Sequence, residues 1–308
     1  MASDAELTGW IPLVSGRSSK RNKEFQTRVL FPAPALIAIF LLLLFPTVYN
    51  VYMSLFNWYI AKPPEYVGLG NYLQMLLRDE RFWGSIGRTA YLTGITIPAE
   101  VVLGTAIALL FEQRVMGDRV LRVLFILPMV ATPVAMALVW TMILTPTGGI
   151  LNHLLERLGL PPSLWMTHPR TAIPSIALVD IWQWTPMITL IVLAGLESLP
   201  EEPFEAALID GASPVQVFFR ITLPLLRPSL AVATMFRTID SLKTFDLIYV
   251  MTQGGPGTSS ETLNVYVYQK GFNYLHLGYS SALALVLLGL VFGTSLVLSH
   301  FRERSWRY

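Results

Sequence analysis

The chain has 308 residues, 53% of them hydrophobic and only 14% charged, with a mean hydropathy of +0.53. That composition excludes a soluble globular protein, and a net charge of +2 is too small to point to nucleic acid. Without cysteine there is no disulfide framework, thiolate nucleophile or thiolate metal site.

Residues 1–28 form a polar segment ending in the basic cluster Arg17, Lys20, Arg21, Lys23 and Arg28. The apolar run that follows, 29–57, is too long for the core of a signal peptide and reads as a retained first span. A loop over 58–84 carries Gly68-Leu69-Gly70-Asn71-Tyr72, a turn signal. A second span at about 85–111 leads into a short basic loop with Arg114, Arg119 and Arg122. The third span, about 123–145, contains Pro128 and Pro133 and is expected to be one kinked helix. The next loop holds a short helix at about 150–158, closed by Gly159 and Pro161-Pro162, with Trp165 as an interfacial anchor.

The fourth span, about 171–196, places Asp180, Gln183, Trp184 and Met187 at spacings that line one side of a helix. Carboxylate and amide acceptors beside flat indole faces suit a polyhydroxylated cargo better than a purely apolar or ionic one.

Glu201 to Pro224 is neither long nor apolar enough to span. It reads as two short helices with a bend at Gly211, the second opened by Ser213-Pro214 as N-cap and first helical residue. The fifth span, about 225–252, holds Arg237, Asp240, Lys243 and Asp246. Each such charge costs about 2.5–3.5 kcal/mol at the centre of a lipid-facing helix, so these groups must face protein or water. Arg237, Asp240 and Thr244 fall on one face, bordered by Ser241. Two readings stand: an ion-pair cluster that braces the bundle, or a polar strip along a translocation path. A polar, aromatic loop over 253–278, a sixth span at about 279–300 and a basic tail complete the chain.

The reading is therefore an all-α polytopic membrane protein with six transmembrane helices. Lys and Arg number thirteen on the side of the termini and about seven on the other, with Arg237 and Lys243 inside the fifth span. That excess puts both termini and the 201–224 loop in the cytoplasm. The four histidines have no metal-ligand spacing, and there is no nucleophile–base pair or GxxxxGK[ST] phosphate loop. No metal, cofactor or catalytic chemistry is expected in this chain.

Glu205-Ala206-Ala207, then Asp210-Gly211, then Ile221-x-Leu223-Pro224, resembles the EAA loop of permease subunits in ATP-binding-cassette importers. The run from Asp240 through Phe245-Asp246-Leu247-Ile248-Tyr249-Val250-Met251-Thr252 into Gly254-Gly255-Pro256-Gly257 resembles carbohydrate-uptake permeases of the maltose-transporter type. The resemblance implies a type I importer permease fold in a bacterial or archaeal cytoplasmic membrane, with the transmembrane domain over 85–301 and a cytoplasmic tail over 302–308. It implies that 201–224 couples to a dimer of ATPase subunits through Glu205, Ala206, Ala207, Asp210, Gly211, Leu223 and Pro224. It also implies a second permease subunit, an extracytoplasmic solute-binding protein and a sugar cargo, with ATP and Mg held by the ATPase partners. Carried by motif spacing, the sugar path falls on Asp180, Gln183, Trp184, Met187, Arg237, Ser241 and Thr244, with Asp240 adjacent. The alternative is an ion-coupled secondary carrier using Asp240 and Asp246, which accounts for the intramembrane charges but not for the cytoplasmic loop.

Overall fold

The computed structural model describes residues 31–113 and 117–305. The N-terminal segment over 1–28, Arg114 of the basic loop and residues 306–308 lie outside the described residues. The chain divides into two compact units, residues 1–52 and 53–308.

The described part of the first unit is helical. Helix α1, Ala33–Ser54, has 22 residues and contains a π turn at Phe40–Leu44. Pro34 lies in its first turn, where a missing N–H leaves nothing unsatisfied. Leu36, Phe40, Leu42 and their neighbours are exposed, as expected of side chains whose solvent is lipid.

In the second unit, β1 (Phe56–Asn57) pairs antiparallel with β2 (Glu65–Tyr66), followed by α2 (Gly70–Arg78). Asn71 donates from Nδ2 to the Ser54 and Phe56 carbonyls, fixing α2 to the start of the hairpin. Helix α3, Glu80–Glu112, is the longest element at 33 residues. Asp79 caps it, its Oδ1 accepting from the Phe82 N–H at 3.0 Å.

The third span departs from the expected single helix. It is two helices, α4 (Asp118–Val130) and α5 (Pro133–Ile143), bent by 97°. Pro128 stays inside α4; the break lies at Ala131-Thr132, both extended. A proline clashes with a helical residue before it, so Pro133 forces Thr132 to φ −65°, ψ 136° and begins a new helix. Helix α6 (Ile150–Arg157) follows, then α7 (Ala172–Glu197) and α8 (Glu202–Ile209).

Helix α9 runs without a break from Pro214 to Leu242, 29 residues, through a π turn at Phe218–Thr222. Ser213 caps it in a reciprocal capping box with Gln216. The fifth span therefore starts earlier and stops sooner than the expected 225–252. Its last part is a separate helix, α10 (Asp246–Thr252), after an interruption at 243–245. Asn264 Nδ2 donates to the Lys243 carbonyl at 2.6 Å, satisfying an acceptor that the interruption frees. The expected loop over 253–278 contains α11 (Leu263–Tyr268), and α12 (Leu277–Ser305) closes the described residues.

Among the described residues, five helices are long and apolar enough to cross a membrane, and the bent α4–α5 pair makes six if it is one span. Helix α3 lies against α7 over the largest helix–helix interface. Gly104 permits that approach: a Cβ there would lie 2.8 Å from Ile188 Cγ2 and 3.2 Å from the Thr189 nitrogen. One buried cluster joins Leu92 of α3, Ala137 of α5, Ile176 of α7 and Ile248 of α10. Another joins Ala108 of α3, Val192 of α7 and Leu226 of α9.

Candidate functional site: a buried charge cluster beside a polar cavity

Three helices bring their intramembrane charges to one point. Arg237 of α9 has no exposed surface. Its Nε donates to Glu100 Oε2 of α3 at 2.7 Å, one Nη donates to Asp180 Oδ2 of α7, and the other lies 3.4 Å from Asp240 Oδ2. The guanidinium carbon sits 5.4 Å from the centre of the Trp184 ring. A guanidinium suits this place because its rigid fork serves several carboxylates at once, which an ammonium does not. Asp240 in turn lies 3.6 Å from Lys243 Nζ.

Next to this cluster is a cavity of about 240 Å³ lined by Asp180, Gln183, Trp184, Asp240, Lys243 and Thr244, with Pro133 and residues 245–247. Its wall holds polar atoms without protein partners. Asp180 Oδ1 and both amide atoms of Gln183 are buried and make no hydrogen bond, and Gln183 is only 1% exposed. Buried polar atoms of native proteins are normally satisfied, so this set calls for something that bonds to it.

The sequence-selected residues thus separate into groups. Asp180, Gln183, Trp184, Asp240 and Thr244 meet at the cavity, while Arg237 stands behind its wall. Ser241 is buried against α3, its hydroxyl 3.1 Å from the Thr93 hydroxyl, and neither it nor Met187 lines the cavity. Glu100 escaped the sequence reading. The signal was a lone carboxylate in the apolar run of the second span, the same signal that singled out Asp240.

The 201–224 loop is organised differently. In α8, Ala207 is buried while Glu205 and Ala206 are exposed, as is Asp210 just after the helix, with Leu208 and Ile209 80% and 86% exposed. Gly211 has φ +70°, a left-handed conformation that glycine adopts without strain, and it turns the chain into α9. Val215 and Phe219 extend the exposed apolar surface onto α9. Leu223 and Pro224 lie inside α9.

A second polar network gathers at the N-terminal end of α3. Asp79 Oδ2 accepts from the hydroxyls of Tyr266 and Tyr279. Burial raises the Asp79 carboxyl, but these hydroxyls, the Phe82 N–H and the Lys270 charge outweigh it and hold it below its usual range. Arg81 binds Glu261 through two nitrogens at 2.8 and 2.5 Å. Lys270 Nζ lies over the rings of Tyr266, Tyr274 and Tyr279 at 5.2–5.6 Å. His276 stacks between Tyr59 and Tyr279; burial and the nearby Lys270 charge push its pKa down to about 4.

Residues 100–306 match the model of the family described as binding-protein-dependent transport system inner membrane component. The chain belongs to this family. It is 39% identical over 265 residues to the sulfoquinovosyl glycerol transport system permease protein SmoG of Agrobacterium fabrum, covering 85% of each chain. It is 35% identical over 293 residues to the trehalose/maltose transport system permease protein MalF of Thermococcus litoralis, covering 94% of this chain and 97% of that one. A solved bacterial ABC transporter involved in the import of the acidic polysaccharide alginate contains a chain that superposes with a TM-score of 0.80 at 22% identity, covering 94% of this chain and 99% of that one. The fold is therefore the all-α fold of type I importer permeases, and the chain is a multi-pass membrane permease subunit.

Proposed function

We propose that this permease moves a sugar or related polyol into the cytoplasm by alternating access, with the cavity beside Arg237 as the place where cargo rests against this chain. The observation that carries the assignment is the unpaired Gln183 amide, buried together with Asp180 Oδ1 in a wall that also presents the Trp184 ring. Hydroxyls of a sugar both donate and accept, so one ring satisfies an amide and a carboxylate while its C–H face lies on the indole. The trehalose/maltose name of MalF supports the same cargo class.

In this reading the chain performs no covalent chemistry and binds no nucleotide. ATP and Mg belong to a dimer of ATPase subunits on the cytoplasmic side. A second permease subunit completes the path, and a solute-binding protein delivers cargo from outside; one solved neighbour is an alginate transporter in complex with a pentasaccharide-bound periplasmic protein. Both termini and the α8–α9 turn face the cytoplasm, in keeping with the basic excess on that side. The exposed apolar side chains of Leu208, Ile209, Val215 and Phe219 form the docking surface, Glu205 supplies a polar contact there and Gly211 sets its bend. Closure of the ATPase dimer moves this surface, and α9 carries the movement to Asp240 because it is one helix from Pro214 to Leu242. No observation favours the ion-coupled carrier, and membership of a binding-protein-dependent family speaks against it.

The test is ATP-driven uptake by the complete transporter in proteoliposomes, with Gln183→Leu compared with the unaltered chain. Accumulation of a sugar that depends on internal ATP, and a raised half-saturation in Gln183→Leu at unchanged assembly, is the expected result. Unchanged uptake kinetics in that variant would remove the cavity from the path.

A further inference from the structure

Resting on the reading of this cavity as the cargo site, we infer that it selects sugars by charge: neutral or amino sugars are accepted, and sugars bearing a carboxylate, sulfonate or phosphate are rejected at this wall. The inference comes from where the cations are. Arg237, which the family resemblance puts on the sugar path, is wholly buried and committed to Glu100, Asp180 and Asp240. With no exposed surface and no place in the cavity lining, it is not presented to an anion there. Lys243 is the one cation among the residues lining the cavity, and its ammonium lies 3.6 Å from Asp240 Oδ1. Against it stand the lining carboxylates Asp180, Asp240 and Asp246.

Taken with Glu100, four carboxylates face two cations around the cavity, so the local charge stays negative even with a proton on one buried carboxyl. An anionic ligand entering here meets like charge, screened in part at Asp240 and Asp246 and strongest at the buried Asp180, where the local dielectric is lowest. A hydroxyl loses nothing: Asp180 Oδ1 and the Gln183 carbonyl oxygen are acceptors waiting for donors. A protonated amino group fits the same acceptors with charge assistance. The cavity volume of about 240 Å³ is below the roughly 300–1,000 Å³ of complete small-molecule pockets, which fits a single ring against this chain.

The experiment is equilibrium binding to the complete transporter in nanodiscs without its solute-binding protein, so that screening upstream plays no part. The probes are three sets of radiolabelled monosaccharides, in the gluco, galacto and manno series, each as the neutral hexose, its uronate and its 2-amino sugar. Within the series that binds, the uronate is expected to bind about tenfold or more weakly than the hexose, and the amino sugar at least as tightly. Asp246→Asn, at an exposed residue outside the buried cluster, should narrow the gap, and adding Asp240→Asn should narrow it further. Uronate binding equal to or tighter than that of the hexose would overturn the charge selection while leaving the cargo site intact. Discrimination that persists unchanged in both variants would overturn its assignment to these carboxylates. Retention of no probe in any series would overturn the cargo site itself, and the inference with it.

Discussion

Removing Arg237 has a consequence that follows from its partners. Arg237→Met leaves Glu100 and Asp180 as unpaired charges with essentially no exposed surface, and breaking a buried pair in this way costs about 3–5 kcal/mol. The variant is expected to be lost from the assembled transporter when the complex is purified through another subunit. Combining it with Glu100→Gln and Asp180→Asn removes the charges together and should restore assembly, while uptake stays impaired because Asp180 lines the cavity. Failure of the triple variant to assemble would show that the cluster does more than balance its own charges. At this scale the sequence was informative through chemistry and blind to direction. It singled out Arg237 because a charge inside an apolar run must face protein or water, and Asp180 because its carboxylate shares a helix side with Gln183 and Trp184. That Arg237 turns away from the cavity depends on Glu100, and no spacing rule links residues 137 positions apart.

Among the elements, the α8–α9 turn and the α11–α12 connection make separate predictions. Gly211 has φ +70° with open space where a Cβ would stand, so Gly211→Asn, whose side chain tolerates that conformation, should retain uptake better than β-branched Gly211→Val, and better than Gly211→Asp, which adds a charge at the docking turn. Membrane levels measured by immunoblot should be equal across the three, since the turn is exposed; an equal loss of transport in all would mean that the side chain itself, not the bend, is at fault. The second prediction concerns His276. Its folded pKa of about 4 lies below the ordinary 6.5, so the unfolded segment binds the proton more readily. The stabilisation is complete above about 6.5 and is lost as pH falls towards 4. Hydrogen exchange at amides of 263–279 should accelerate over that window, and His276→Gln should flatten the change. An identical pH profile in the variant would assign the effect elsewhere. The helices themselves were legible from apolar runs and caps such as Ser213-Pro214. The interruptions at 131–132 and 243–245 were not: the first follows from Pro133 acting on Thr132 within an apolar run, and the second depends on Asn264, 21 residues on, accommodating the freed Lys243 carbonyl.

For the molecule as a whole, α3 is common to the buried clusters, the charge cluster and the capped network at Asp79. Gly104 is where that dependence is most easily tested. Gly104→Leu puts a side chain into Ile188 and the backbone at Thr189, and overpacking of this kind costs about 1–3 kcal/mol. The intact transporter in detergent is expected to lose thermal stability, with cargo affinity falling as α3 and α7 separate; an unchanged melting profile would mean the interface adapts. The family was readable because the 205–224 motif and the 240–257 run are local in sequence. The pairing of α3 with α7 is not local, and apolar faces that meet lipid and those that meet another helix have the same composition.

The cluster around Arg237 also bears on how the chain is made. Synthesis runs from α3 to α7 to α9, so Glu100 and Asp180 are delivered to the bilayer before Arg237 exists. Each carries an insertion penalty of about 2.5–3.5 kcal/mol at the bilayer centre until its counter-ion arrives. The late arginine acts as a completion signal: a nascent chain ending before α9 holds Glu100 and Asp180 unbalanced, and in the finished chain both are in contact with Arg237. In pulse-chase labelling, chains truncated at residue 212 should be cleared by membrane proteolysis faster than the same truncation carrying Glu100→Gln and Asp180→Asn. Equal half-lives would mean that biogenesis does not register this charge.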